Sequence, residues 1–344
     1  MKNLTGTDKH TDEYNNLDKD SQKILNDILK FKEKAGLQNR KDLLMLADYS
    51  GEEILLILDL AKKIKSSKNL FSDFLKGKSL ALLFDKPSTR TRLSFEAGIA
   101  QLGGNAIYLG AETMQIKRGE TLEDTAKIMN KYLDGLVIRT FMQEAVEIFA
   151  AHCCFPVING LTDYCHPCQV ISDLFTISEL GLLGRSLKFV YLGDCNNVLN
   201  SLLSGFIKLG LDITVGCSPM YEPEKKVMEL SLKEASKTGS SIKLVYDPYE
   251  AVKGADIIYT DVWVSMGESH SGEKIKELSK FQVNRKLLSF AKPEARVMHC
   301  LPAHRDQEIT SEVLDSNAGS TVWQQAENRL HAQKALLVYL YAGI

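Results

Sequence analysis

Short apolar runs alternate along this chain with longer segments in which apolar residues recur at helical spacing. From residue 79 onward the runs are SLALLF, NAIYL, GLVIR, FPVIN, LKFVYLG, DITVGC, IKLVYD, ADIIYTD and RVMHC. Such alternation is typical of parallel sheets covered by crossover helices. The pattern predicts an α/β fold of two three-layer αβα domains, each with a parallel sheet of four or five strands.

The change from the first set of strands to the second falls after Asn159, where the helical segment HPCQVISDLFTISELG begins the second set. We therefore expect a first domain at 37–160 and a second at 161–320, joined by interdomain helices. The last helix, TVWQQAENRLHAQKALLVYLY, has no strand after it. Residues 321–344 are expected to complete the first domain.

Residues 1–36 form an N-terminal arm ahead of these domains. Its apolar residues recur at helical spacing and predict one helix for packing or contacts between copies: Ile24, Leu25, Ile28 and Leu29.

Composition narrows the class of protein. The 344 residues are 44% hydrophobic and 25% charged, which suits two ordinary domains, and the net charge of −2 provides no basic field for nucleic acid or membranes. The start MKNLTGTDKHTDEYNNLDKD has no arginine and no apolar core, so a cytoplasmic location and reduced cysteines are expected. The expected partner is therefore a small molecule.

Polar residues follow nearly every apolar run, at the strand ends where α/β folds bind ligands. DKPSTRTRLSFE follows the first run, Arg139 ends GLVIR, His166 follows PVING, and DCNN, VWVSMGE and LPAHR follow later runs. These groups are expected to converge on one cleft between the two domains.

The first of these segments has the residues of an oxyanion site. Ser88, Thr89 and Thr91 place hydroxyls at a helix N-terminus, and Arg90 adds a fork of donors for phosphate oxygens. Taken alone, a segment of this kind is more often a capped, solvated first turn.

Two neighbouring arginines are expected to have different roles. Arg92 and Glu96 are four residues apart and can pair, whereas Arg90 and Arg92 cannot share a helix face. Arg90 is therefore assigned to the ligand and Arg92 to support.

The stretch DYCHPCQ contains a CxxC pair, Cys165 and Cys168. It lacks the second ligand pair of a structural zinc site and the setting of a redox motif, so no metal is expected. The working residues are expected to be His166, which can polarise a carbonyl, and Gln169, which can recognise an amide.

Cys300 ends the run RVMHC and suggests a nucleophile. Neighbouring side chains alternate across a strand, so His299 is expected on the opposite face, and a Cys/His dyad is not expected.

Together these motifs resemble the aspartate/ornithine carbamoyltransferase family over about residues 38–344. FDKPSTRTRLSFE resembles its phosphate motif, HPCQ its carbamoyl motif, and DVWVSMGE with MHCLPAHR its ornithine branch. The resemblance implies an enzyme without a cofactor that transfers the carbamoyl group of carbamoyl phosphate to the side-chain amine of ornithine, giving citrulline and phosphate. It also implies a homotrimer with shared active sites.

The resemblance also implies the site residues. The carbamoyl phosphate contacts would be Ser88, Thr89, Arg90, Thr91, Gln115 from a neighbouring subunit, Arg139, His166, Pro167, Cys168, Gln169, Cys300, Leu301 and Arg329. The ornithine contacts would be Asn197, Asp261, Ser265 and Met266. The catalytic residues would be Arg139, His166, Asp261 and Cys300.

Several alternatives stay open from the sequence. Phosphate, Asp261 or Cys300 could take the proton from ornithine, and Asn196 rather than Asn197 could cap the following helix. The acceptor could be aspartate or putrescine, although LPAHR and the SMG loop favour ornithine. A nucleotide-dependent dehydrogenase is a poor fit because VYLGDCNN lacks GxGxxG. A binding protein without activity, built on the same fold, is the remaining alternative.

Overall fold

The computed structural model describes residues 16–37, 40–184, 186–265 and 272–343. The first sheet consists of β1 (Ser79–Phe84), β2 (Asn105–Gly110), β3 (Gly135–Arg139) and β4 (Val157–Leu161). The second consists of β5 (Phe189–Leu192), β6 (Ile213–Gly216), β7 (Ile242–Val245), β8 (Ile257–Thr260) and β9 (Arg296–His299). The expected α/β class, with parallel sheets of four and five strands, is confirmed.

Helices separate the strands. They are α1 (Lys19–Lys34), α2 (Gly51–Ser66), α3 (Thr89–Gln101), α4 (Leu122–Met129), α5 (Gln143–His152), α6 (Pro167–Glu179), α7 (Asn197–Lys208), α8 (Lys225–Thr238), α9 (Pro248–Val252), α10 (Gly272–Leu278), α11 (Arg285–Leu288), α12 (Ser311–Leu314) and α13 (Ser320–Tyr341). Within the described ranges, no helix combines the length and apolar character needed to cross a bilayer.

The chain divides into two compact units. The first comprises the described residues within 1–44, 55–161 and 330–344, and the second comprises those within 45–54 and 162–329. Two of the helices, α2 and α13, contribute residues to both units.

Strand order fixes where each unit can bind a ligand. The first sheet has the order β2-β1-β3-β4, and the second has the order β7-β6-β5-β8-β9. The direction of strand addition therefore reverses between β1 and β3 in one sheet and between β5 and β8 in the other. Ligands of open α/β sheets bind beyond the carboxyl ends at this point of reversal.

β4 begins two residues later than the apolar run FPVIN suggests. Pro156 has no N–H to donate, although its carbonyl still accepts from the N–H of Leu136 at 3.1 Å. Regular pairing with β3 therefore starts at Val157 and continues to Leu161.

The arm contains the helix that its periodicity predicts. Leu25 and Ile28 are buried, and Asp18 caps the helix by accepting from the N–H groups of Asp20 and Ser21. Near its end, the buried Lys32 donates from Nζ to the carbonyl of Ala342 at 2.8 Å. The helix is thereby attached to the C-terminal part of the first unit.

The turn after β5 depends on glycine. Gly193 has a φ of 116°, which side-chain-bearing residues rarely adopt, and a Cβ built there would lie 3.1 Å from Nε1 of the buried Trp263. This turn directs the segment DCNN toward the end of β8.

We expect Gly193→Ala to lower the free energy of unfolding by about 1–3 kcal/mol through backbone strain and crowding of Trp263. Urea unfolding followed by circular dichroism measures the loss. Gly184→Ala is the matched control, because a Cβ there meets nothing within 4 Å. Equal stability of both variants would contradict the expectation.

Candidate active site

The phosphate segment of the first unit begins helix α3. Ser88 is the N-cap in an extended conformation, and its hydroxyl accepts from the N–H of Thr91 at 3.2 Å. The positive end of a helix of 13 residues therefore faces the loop that follows β1. Thr89 is exposed and Arg90 half-buried, whereas Thr91 is buried.

One of the two arginines of this helix, Arg92, is paired as predicted. Nε of Arg92 lies 2.9 Å from Oε1 of Glu96, so the expected pair is confirmed. The guanidinium of Arg92 also stacks over the ring of Tyr108 at 3.8 Å. Arg92 is therefore engaged on the outer side of α3, which agrees with a supporting role.

Arg139 is buried at the end of β3, which pairs with β1. Its carbonyl accepts from the N–H of Asp85 at 2.8 Å, so the ends of the two strands are held together. The buried Lys86 lies on the same loop, with Nζ 4.3 Å from the ring of Phe141. Lys86 is a cation that the sequence analysis did not select, although its place beside the phosphate segment was a usable signal.

Gln115 lies on the segment that follows β2, and this segment is tied to the loop after β1 by an ion pair between Lys117 and Asp85 at 3.4 Å. Gln115 begins the short 3-10 helix Gln115–Arg118, and its side chain is exposed.

In the second unit, the HPCQ motif forms the start of α6. His166 is the N-cap residue, Pro167 is the first helical residue, and the backbone N–H of His166 donates to Oγ of Ser201 at 2.8 Å. His166 is 4% exposed. The backbone that carries the imidazole is therefore fixed by this hydrogen bond.

The thiols of this motif are buried and are not joined in a disulfide. Burial raises the pKa of the Cys168 thiol to about 12. A thiol that stays protonated is a poor nucleophile and a poor metal ligand, which agrees with the passive role expected for the CxxC pair.

Gln169 and Arg329 meet in the interior of the second unit. Nη1 of Arg329 donates to Oε1 of Gln169 at 2.6 Å, and Nε2 of Gln169 donates to Oδ1 of Asp173 at 2.8 Å. Gln325 also donates to Oδ1 of Asp173, at 2.7 Å. The sequence analysis missed Asp173 and Gln325, yet each lies one helical turn from a selected residue.

Asn196 is the residue that caps helix α7. Its Oδ1 accepts from the N–H groups of Val198 and Leu199, so Asn196, and not Asn197, caps α7. Its Nδ2 donates to Oδ2 of Asp261 at 2.8 Å. Asn196 is thus a further residue of this site that the sequence analysis did not select.

Two of the residues expected for the amino acid, Asp261 and Asn197, make hydrogen bonds within the second unit. Oδ1 of Asp261 accepts from Sγ of Cys300 at 2.7 Å, and Nδ2 of Asn197 donates to the carbonyl of Thr162 at 2.6 Å. Ser265 is half-buried. Met266 lies outside the described residues.

The expectation that His299 points away from Cys300 is wrong. One ligand-type atom from each of Asp261, His299 and Cys300 lies within 4.8 Å of the others. β9 ends at His299, so strand alternation no longer fixes the direction of Cys300.

This trio is nevertheless a poor cation site. Nδ1 of His299 accepts from the N–H of Leu301 at 2.9 Å, and Nε2 lies 3.0 Å from Oε1 of the buried Glu308. Both ring nitrogens are thus occupied by protein groups, and the N–H of Leu301 places the imidazole proton on Nε2. These bonds also hold Leu301 at a φ of 58° in the loop after Cys300.

Two domains of one protein family match this chain. Residues 41–179 match the carbamoyl-P binding domain, and residues 185–340 the Asp/Orn binding domain, of aspartate/ornithine carbamoyltransferase. A relative from Pyrococcus furiosus, "Ornithine carbamoyltransferase, anabolic", is 48% identical over 88% of this chain and 97% of its own length. The chain belongs to the aspartate/ornithine carbamoyltransferase family.

Two solved structures place it beside the ornithine branch. The ornithine carbamoyltransferase of Pyrococcus furiosus superposes with a TM-score of 0.84 at 47% identity, covering 89% of this chain and 98% of that one. The anabolic ornithine carbamoyltransferase of Campylobacter jejuni gives 0.83 at 38% identity, covering 87% and 98%.

Burial raises the pKa of Asp173 from 3.8 to about 7, against the hydrogen bonds that lower it. Between these values the folded protein holds a proton that the unfolded chain has lost, so the contribution of Asp173 to stability falls as pH rises from about 4 to about 7. We expect the free energy of unfolding of the wild type, relative to Asp173→Asn, to fall from about pH 5 to about pH 8 in urea titrations. The same comparison with Asp73→Asn, which alters an exposed carboxylate, is the control. A difference independent of pH would contradict this expectation.

Proposed function

We propose that the protein transfers the carbamoyl group of carbamoyl phosphate to the side-chain amine of L-ornithine, giving L-citrulline and phosphate, or catalyses the reverse reaction in arginine breakdown. The observation that carries the proposal is the arrangement around Asp261, held by Asn196 and Cys300, in a chain 48% identical to ornithine carbamoyltransferases. We further propose a cytoplasmic homotrimer to which Gln115 of each copy contributes at a neighbour's site.

Carbamoyl phosphate is a mixed anhydride, so the enzyme must stabilise the leaving phosphate and the charge that develops on the carbonyl oxygen. In the first unit, we assign the phosphate to Ser88, Thr89, Arg90 and the N-terminus of α3, which supply donors and a positive dipole. Thr91 and Arg139 are assigned to the carbonyl oxygen as oxyanion donors.

The second unit supplies the recognition of the carbamoyl group. His166 is the proposed further donor to the carbonyl oxygen, and Gln169 with the backbone carbonyls of Cys300 and Leu301 accepts from the carbamoyl NH2. Arg329 orients Gln169 through their 2.6 Å hydrogen bond. Pro167 and Cys168 form the first turn of α6, which positions His166 and Gln169.

The amino acid is assigned to the loops after β5 and β8. Asp261 binds the α-ammonium group, Asn197 addresses the carboxylate, and Ser265 and Met266 complete the subsite. The side-chain amine of ornithine has a pKa near 10 in water, as lysine has, and must lose a proton before it attacks. The Cys300 Sγ to Asp261 Oδ1 contact of 2.7 Å makes this pair one route for the proton, beside the phosphate oxygen.

We expect purified protein to form citrulline from carbamoyl phosphate and L-ornithine without added metal. A panel with L-aspartate, putrescine and L-lysine under the same conditions is the comparison. Turnover of aspartate or putrescine but not ornithine would reject the acceptor assignment. Absence of turnover with every amine would favour a binding protein without activity.

We expect Arg90→Ala to weaken the binding of phosphate by about ten- to a hundredfold, because it removes charge-assisted hydrogen bonds to the anion. The competitive inhibition constant of inorganic phosphate and the KM for carbamoyl phosphate measure the loss. Arg92→Ala is the matched control, since Arg92 is paired with Glu96 on the same helix. Equal inhibition constants in the wild type and Arg90→Ala would remove Arg90 from the phosphate site.

A further inference from the structure

Four polar side chains form a continuous chain of hydrogen bonds inside the second unit. Gln169 is 1% exposed, Asp173 0%, Gln325 1% and Arg329 3%. Burying polar groups costs free energy unless they are hydrogen-bonded. Four such residues in one network therefore suggest a role beyond packing.

The chemistry of Arg329 determines which way the amide of Gln169 points. A guanidinium can only donate, so the atom facing Arg329 at 2.6 Å must be the amide oxygen. Because the oxygen faces Arg329, the other amide atom, Nε2, faces Oδ1 of Asp173 at 2.8 Å and donates to it. The orientation therefore follows from Arg329 and does not depend on distinguishing oxygen from nitrogen.

Asp173 is held so that it stays an acceptor. Oδ1 accepts from both glutamines, and Oδ2 accepts from the hydroxyl of Tyr259 at 3.1 Å. Burial raises the pKa of Asp173 to about 7, so above that pH the carboxylate is ionised and both of its oxygens accept. The charges and donors that face it are Gln169 on its own helix, Tyr259 on β8, and Gln325 and Arg329 on α13, and each of them favours the ionised form.

The second glutamine is oriented by the same carboxylate. Gln325 donates to Asp173, so its Oε1 atom is left to accept from the backbone N–H of His299 at 2.9 Å. His299, the residue before Cys300, is therefore connected through Gln325 to Asp173 on the helix that carries Gln169.

We propose that Asp173, opposite Arg329, is the positioning residue that holds Gln169 as a hydrogen-bond acceptor toward the substrate, and thereby makes the site select a carbamoyl N–H. The inference rests on the proposed function, because it assigns the selectivity of the same site. One N–H of Nε2 donates to Asp173 and Oε1 accepts from Arg329, so the second lone pair of Oε1 is the acceptor that Gln169 presents to the substrate. An N–H donor satisfies it, whereas the methyl group of an acetyl group does not.

The test compares carbamoyl phosphate with acetyl phosphate, which differs by a methyl group in place of NH2. We expect Asp173→Ala to raise the ratio of the KM for carbamoyl phosphate to the inhibition constant of acetyl phosphate about tenfold, because about one hydrogen bond to the substrate is lost. The effect on kcat is expected to be smaller. Asp173→Asn is expected to restore most of the selectivity. Its Oδ1 can still accept from Gln169 while its Nδ2 donates to the oxygen of Tyr259.

Thr176→Val is the matched control for a loss of packing alone. Thr176 lies on the same helix, and its Oγ1 donates to the carbonyl of Ser172 at 2.8 Å and accepts from Nδ2 of Asn328 at 2.9 Å. We expect this variant to be less stable with unchanged selectivity. If Asp173→Ala does not fold, Asp173→Ser replaces it with the same expected loss, since a hydroxyl is both donor and acceptor and is too short to fix the amide.

Two results would overturn the inference while citrulline formation by the wild type still supports the proposed function. One is a folded Asp173→Ala protein with wild-type selectivity. The other is an equal change in Thr176→Val. Failure of the wild type to use carbamoyl phosphate would instead reject the proposed function, and the inference with it.

Discussion

Neighbouring strands run in the same direction in both sheets, and the rest of the chemistry depends on this shared polarity. Every loop that leaves a carboxyl end emerges at the same edge, and the reversal of strand order opens that edge between β1 and β3 and between β5 and β8. The phosphate segment and Arg139 follow the first pair of strands, whereas Asn196 and Asp261 follow the second. Each group of polar residues is therefore assembled by the backbone before any ligand contributes.

Features that depend on local periodicity could be predicted from the sequence. The nine strands found in the described ranges correspond to the apolar runs, and the Arg92 to Glu96 pair follows from helical spacing alone. The error at β4 came from Pro156, whose missing N–H delays pairing by two residues.

Contacts that depend on packing between distant segments could not be predicted. Asp173 receives donors from β8 and α13, and neither is visible from the sequence around it. The expected alternation of side chains failed for His299 and Cys300 because β9 ends at His299, and side chains alternate only between residues within a strand. Arg329 is likewise buried, and its partner, Gln169, lies 160 positions earlier on another helix, so the sequence around Arg329 does not reveal the contact.

The arrangement of Gln169 between Asp173 and Arg329 limits how this site can change in evolution. Glutamate at position 169 would place a second carboxyl group against Asp173, and a single substitution of Arg329 would remove a positive charge that favours the ionised form of Asp173. A new specificity at this position thus requires several residues, on two helices, to change together. Divergence toward other acyl donors is for that reason constrained by the hydrogen bonds of two helices at once.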